Sequence, residues 1–178
     1  MKLLPAIFLT LSLMASASLA ETSSTEQVLT GAKSKAAAEQ KVIFVHFGAS
    51  WCGWCKKLDA YLERPDVKPV FEKYFVPVKL VMGEQPPQKA LENAGADDLA
   101  KKLGGPGFPF LAFLDAQGTL IVNSNREPGG QNIGYPSEPA EVDWFLQMVK
   151  KAAPKITADD LKTLETPLRT PAPTASGH

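Results

Sequence analysis

The two cysteines of the chain stand three residues apart, as Cys52-Gly53-Trp54-Cys55, with Trp51 before them and Lys56-Lys57 after. Residues three apart on a helix are neighbours at about 5–6 Å, a separation that a disulfide can bridge, so such a pair can open and close with little backbone movement. Dithiol–disulfide exchange is the chemistry this spacing allows. Three other readings stand beside it. The pair is half of a zinc site, although the only histidines, His46 and His178, supply no matching half. It is a permanent structural disulfide, although so short a loop constrains the unfolded chain little. Or the spacing is chance.

The elements that must position these thiols can be read around them. Val42-Ile43-Phe44-Val45-His46-Phe47 is a continuous β-branched and aromatic run, the pattern of a strand covered on both faces and therefore parallel. A helix is expected from Cys52 to about Leu62, closed by Arg64-Pro65. Cys52 then falls at the helix N-terminus, where unpaired amides and the dipole favour a thiolate, which makes it the candidate nucleophile. Cys55, one turn inside, would act second.

His46 interrupts the apolar strand six residues before Cys52. Taken alone, such a residue is most simply a core histidine satisfied by a backbone carbonyl. Lys79 reads as a strand-end lysine reaching solvent. Lys56 and Lys57 lie in a first helical turn, where cations oppose the dipole; they favour a thiolate or an acidic partner, or simply form a solvated face. Trp51 is divided evenly between core and rim, whereas Trp54, between the cysteines, is expected to be exposed.

The chain has 178 residues, 44% hydrophobic and 21% charged, the composition of a globular protein rather than of a disordered, collagenous or coiled-coil one. Lys and Arg equal Asp and Glu at 19 each, so no overall field draws it to nucleic acid or to an anionic membrane. Two cysteines exclude a disulfide-stapled scaffold and a four-cysteine zinc site.

Lys2, the apolar run Leu3 to Met14 and the small residues Ser18 and Ala20 have the order of a secretory signal cleaved after Ala20. The run, interrupted by Pro5, Thr10 and Ser12, is too short for a membrane anchor. Residues 1–20 are thus expected to be removed and the mature protein to be periplasmic or secreted.

The 158 residues from Glu21 to His178 suit one domain, expected over 21–165. Helices are expected over Thr25–Gln40, Asp66–Tyr74 and Ala140–Ala152, with a turn of helix over Thr157–Leu164, and a strand over Phe75–Met82. Between residues 83 and 107 lies an irregular insertion, in which Pro86-Pro87 start a short helix ended by Gly95 and Asp97 caps another running to Leu103. Phe110–Leu114 and Thr119–Asn123 flank Asp115-Ala116-Gln117-Gly118 as a hairpin. Thr166 to His178 is a Pro- and Thr-rich tail expected to be disordered.

Taken together, Val42 through Trp51-Cys52-Gly53-Trp54-Cys55-Lys56, then Val78-Lys79-Leu80, then Gly107-Phe108-Pro109 before a hairpin, resemble the thioredoxin-like superfamily, in particular its exported thiol:disulfide oxidoreductases. The likeness covers about Val42 to Lys151. It implies an α/β thioredoxin fold, a central mixed β-sheet flanked by helices, with Pro109 cis beside the cysteines; without it, a trans proline after a Gly-rich loop is the default. It implies that Trp51, Gly53, Trp54, Phe108 and Pro109 contact substrate, the Phe108 backbone pairing with an extended segment. His46 occupies the place of a buried acidic residue in thioredoxin, which makes it a candidate proton acceptor for Cys55, with Lys79 in support. The function implied is reduction of disulfides in exported proteins or peptides by a monomer that uses no cofactor or metal beyond the Cys52–Cys55 pair and is itself reduced by a membrane-bound donor. The alternatives are oxidation or isomerisation, since thioredoxin usually has Pro where Trp54 stands, and a Cu(I)-binding metallochaperone.

Overall fold

The computed structural model describes residues 22–170 except 106, 128 and 129. The leader expected over residues 1–20, and the tail from residue 171, lie outside the described residues. Strand β1 (Val42–Gly48) is the centre of the molecule. Helix α1 (Thr25–Glu39) precedes it, held at its start by a Ser24–Gln27 capping box. After β1 the chain forms α2 (Gly53–Leu62) and α3 (Val67–Tyr74), then returns as β2 (Phe75–Val81), which pairs parallel with β1. Helix α4 (Ala96–Lys102) follows, and then β3 (Phe110–Leu114) and β4 (Leu120–Asn123) complete a four-stranded sheet in the order β2-β1-β3-β4. Both β1–β3 and β3–β4 are antiparallel, so the sheet is mixed. The expected parallel pairing of β1 therefore holds on one side only. Burial on both faces arises from helices above and below the sheet, whichever way the neighbouring strands run.

Side-chain alternation along β1 divides the core in two. Ile43, Val45 and Phe47 point to the layer of α1 and α4, packing against Ala32, Ala36, Ala96 and Ala100. Phe44 points the other way, into α2, α3, α5 (Pro139–Ala152) and α6 (Ala158–Arg169). There its ring meets Phe71 edge-on at 5.0 Å and Phe113 at 5.0 Å, within a group that Phe75 completes. Aromatic pairs of this kind add about 0.5–1.5 kcal/mol each beyond the area they bury.

Several elements depart from the sequence expectation. Between residues 83 and 95 only a 3-10 turn, Gln88–Leu91, forms. Gly95, at φ 86°, opens α4 rather than ending a helix, and Asp97 lies inside the first turn rather than capping it. A small ribbon, β5 (Asn125–Arg126) with β6 (Gln131–Asn132), was not anticipated, because two-residue strands carry no readable period. The last helix α6 continues past Leu164 to Arg169, four residues into the segment expected to be tail from Thr166. Its apolar side explains why: Leu164 and Leu168 are buried in the same core as Phe145, and the Tyr61 hydroxyl donates to the Leu164 carbonyl at 2.8 Å.

Helix α6 thus closes the core. Leu164→Ala is expected to lower stability by about 2–5 kcal/mol, the range for emptying a buried leucine site, measured by urea unfolding; a loss below 0.5 kcal/mol would show that α6 is peripheral.

Candidate functional site

Cys52 and Cys55 are joined in a disulfide, with Cα atoms 5.2 Å apart. Cys52 is the N-cap of α2, and its sulfur accepts from the Cys55 amide at 3.1 Å. That amide is one of the donors a helix start leaves without an intrahelical partner, so the first thiol of the pair meets a group suited to hold a thiolate. Helix α2 sits close to the end of β1. A Cβ built on Gly48 would stand 2.9 Å from the Cys55 sulfur, so only glycine there lets the helix approach so near. Although Cys52 stands at the helix start, it is only 5% exposed against 1% for Cys55, because Ala49 and Phe108 pack on the pair.

The approach to the helix is tied from the insertion. Glu84, itself buried, accepts from the Ser50 amide at 2.5 Å and from the Ser50 hydroxyl at 2.7 Å. The Trp51 indole donates to the Gly83 carbonyl at 2.9 Å. A buried carboxylate with two short donors is tolerated where an unpaired one would be costly, and here it fixes the loop one residue before the tryptophan. Asn93 sews the same insertion to β2, its side chain accepting from the Val81 amide at 2.7 Å.

Around the sulfurs stands an aromatic rim. Trp51 and Trp54 are about half exposed. Phe108 meets Trp51 edge-on at 5.5 Å, and its ring covers Gly83, where a Cβ would come within 2.7 Å of it. Trp54 stacks on Tyr135 at 6.0 Å, and the Lys57 ammonium lies 4.0 Å over the Trp54 ring. An open groove of about 260 Å³ runs between Trp54, Phe108, Pro109, Ile133 and Tyr135. The Phe108–Pro109 bond is cis, as the resemblance implied, and so is Pro86–Pro87. Asn132 from β6 donates to the Pro109 carbonyl at 3.0 Å and accepts from Ser124, which in turn accepts from the Leu111 amide, so the ribbon fixes the entry to β3.

Behind the cysteines lies a second polar group. His46 is 5% exposed, and its Nε2 lies 3.1 Å from Asp59 Oδ1. The other oxygen of Asp59 accepts from the Lys79 ammonium at 2.6 Å. His46 and Lys79 are register partners across β1 and β2, and Asp59 on α2 bridges the two. The Asp59 carboxyl is held down to about 2, first by the His46 hydrogen bond and further by that of Lys79, against partial burial that pushes it up. His46 is thus satisfied by a carboxylate and not by the backbone carbonyl that its residue type alone suggested. Its Nδ1 is buried and makes no hydrogen bond among the described residues.

The structure therefore gathers Trp51, Gly53, Trp54, Phe108 and Pro109 around Cys52 and Cys55, and joins His46 and Lys79 through Asp59 on the helix that carries the cysteines. Asp59, Glu84 and Tyr135 were not singled out from sequence. Asp59 had a signal, an acidic residue four positions after Cys55 and so on its helix face. Glu84 and Tyr135 had none, since their partners are set by loop paths. Among the described residues no group of three or more His, Cys, Asp and Glu side chains is placed to hold a metal ion, and no helix is long and apolar enough to cross a membrane.

The sequence profile of the thioredoxin-like family matches residues 25–116. A disulfide bond reductase, DsbH, of Chlamydia pneumoniae is 32% identical over 102 residues, which cover 52% of this chain and 57% of that relative. Similar solved structures include a disulphide isomerase from Xylella fastidiosa Temecula1, at 16% identity and TM-score 0.48 over 90% of this chain and 100% of that one. Another is the oxidised C-terminal domain of Neisseria meningitidis DsbD, at 21% identity and TM-score 0.45 over 72% and 99%.

Two expectations follow from the site's packing and charge. Gly48→Ala should destabilise the protein by about 1–3 kcal/mol, the usual cost of overpacking. Gly53→Ala, whose added Cβ meets nothing within 4 Å, should be neutral or slightly stabilising in the same thermal unfolding measurement. Equal effects would mean that α2 shifts freely over β1. Because Asp59 is held below the usual carboxylate range, its pairing contributes stability above about pH 4 that disappears as pH falls toward 2. The acid limb of a stability–pH curve should accordingly be steeper for the wild type than for Asp59→Asn; superimposable limbs would contradict the assigned pairing.

Proposed function

The chain belongs to the thioredoxin-like family, and we propose that it is a thiol:disulfide oxidoreductase that reduces disulfides of exported proteins or peptides through Cys52 and Cys55. The observation that carries this reading is a disulfide-bonded pair at the N-terminus of α2, its first sulfur accepting a helix amide and both packed under Phe108 at the edge of an open groove. The relative from Chlamydia pneumoniae, described as a disulfide bond reductase, supports the direction of electron flow.

Reduced Cys52, as thiolate, attacks one sulfur of a substrate disulfide; a mixed disulfide forms and the first substrate thiolate leaves. Cys55 then gives its proton to His46 and attacks the Cys52 sulfur. The Cys52–Cys55 bond forms, the mixed disulfide breaks, and the second substrate thiolate leaves and takes a proton from water. Two electrons pass to the substrate, and a membrane-bound dithiol donor restores the pair. Gly53, with open space before it, lets the substrate chain approach the sulfurs. Trp51, Trp54 and Phe108 supply apolar contact, and the backbone at Phe108-Pro109 offers an edge to an extended segment. Lys79 holds the carboxylate that pairs with His46. Residues 1–20 serve as the export signal to the periplasm or exterior, and the monomer needs no cofactor beyond its own disulfide.

Cys55→Ser should accumulate mixed disulfides with protein substrates, whereas Cys52→Ser should trap none, read by non-reducing electrophoresis and mass spectrometry of protein recovered outside the cytoplasm, which should begin at Glu21. Titration against glutathione ratios should place the pair below the glutathione couple, as a reductant requires. Equal trapping by both variants would overturn the division of labour. A potential well above that couple would reverse the direction to oxidation or isomerisation, and stoichiometric Cu(I) retained through purification would replace exchange by metal transfer.

A further inference from the structure

Helix α2 and strand β1 meet in two successive rungs. At the first, the Cys55 sulfur lies over Gly48. At the second, Asp59, four residues further along the helix, lies against His46, two residues back along the strand. A spacing of i and i+4 on a helix and of i and i+2 on a strand each keeps side chains on one face, so His46 lies on the face of β1 that Cys55 packs against, about 6.6 Å along the strand from Gly48. An imidazole at that place reaches the thiol directly or through one water.

The ring offers Cys55 only one suitable atom. Asp59 is an ionised acceptor, so the His46 nitrogen facing it, Nε2, carries the hydrogen. A neutral imidazole with hydrogen on Nε2 has its lone pair on Nδ1, the buried atom that makes no hydrogen bond among the described residues. Lys79 holds the second Asp59 oxygen and keeps the carboxylate from turning away.

We infer that Asp59 is a positioning residue that fixes the tautomer and orientation of His46, so that Nδ1 takes the proton of Cys55 and the resulting imidazolium is paired with a carboxylate at the wall of a solvent-open cleft. This rests on the exchange reading above. In the resolving step the Cys55 S–H bond breaks, its proton moves to Nδ1, and the electron pair left on sulfur forms the bond to Cys52 as the substrate thiolate departs. The imidazolium then releases its Nε2 proton to water in the cleft of about 320 Å³ that His46, Asp59 and Lys79 line with Glu63, Lys68 and Glu72, and takes one back there when reduction of the disulfide returns the Nδ1 proton to Cys55. Glu63 and Lys68 pair with each other at 2.7 Å. The proton therefore leaves on the side of the cleft, away from the aromatic rim where substrate docks.

The two steps can be measured apart by stopped flow with a peptide disulfide, from pH 5 to 9, following formation and then resolution of the Cys52 mixed disulfide. Asp59→Asn removes the charge, and its amide can donate to Nε2, which moves the ring hydrogen to Nδ1. Resolution should slow by about 10²-fold at pH 7, the scale of general-base catalysis. It should also become steeper with pH, rising about tenfold per unit as Cys55 has to ionise unaided. Mixed-disulfide formation should change little, and Asp59→Glu should restore much of the resolution rate. A normal first step with an unchanged second step in Asp59→Asn would overturn this inference alone. So would a slowed second step that keeps the wild-type pH profile and is not restored by Glu, the signature of a merely structural residue. A wild-type protein that forms no Cys52 mixed disulfide would overturn the exchange reading itself.

Discussion

The close approach of Cys55 to Gly48 governs the rest of the site. A sulfur standing where a Cβ would otherwise be fixes how α2 lies over β1. Cys52 is thereby held at the exit of the central strand with the Cys55 amide donating to its sulfur. The same docking angle sets Asp59 against His46 one turn along, because both elements are rigid at their own repeats. Nothing larger than hydrogen at residue 48 is compatible with that approach. The disulfide, the helix amide and the imidazole–carboxylate pair are thus consequences of one contact between a helix and a strand.

Buried polar groups concentrate around this contact. Glu84 is held by Ser50, His46 by Asp59, and Ser124 by the Leu111 amide and Asn132. Buried carboxylates and imidazoles are costly unless paired, and each pair fixes a geometry that apolar packing leaves loose. One pins the loop before the cysteines, one the residue behind them, and one the entry to β3 at Pro109. The phenylalanine core around Phe44 supplies cohesion on the helix side without such polar demands.

The insertion between β2 and β3 has a defined structural part in this arrangement. Its first residues, Gly83 and Glu84, hold Trp51 and Ser50, Asn93 binds the end of β2, and α4 covers the sheet face opposite the cysteines. Gly83, at φ 69°, has no Cβ to obstruct the Phe108 ring, so the rim is built as much by this loop as by the cysteine motif.

Strong periods and dense apolar runs made β1, α2, α3, β2, the β3–β4 hairpin and α5 legible in the sequence. The redox pair at a helix start was likewise readable from the residues, and the cis bond before Pro109 through family resemblance. Local patterns suffice there, since a strand buried on both faces and a helix with one apolar stripe are written in consecutive residues. The antiparallel side of β1, the extension of α6 to Arg169, the burial of Cys52, and the partners Asp59 and Glu84 emerge only from the folded arrangement. Each depends on residues far apart in the chain, such as Ser50 with Glu84 or Lys79 with Asp59. A lone carboxylate carries no mark of what it will face. Which charge meets which imidazole is settled when α2 docks on β1, and that docking depends on the volume missing at Gly48 rather than on any period along the chain.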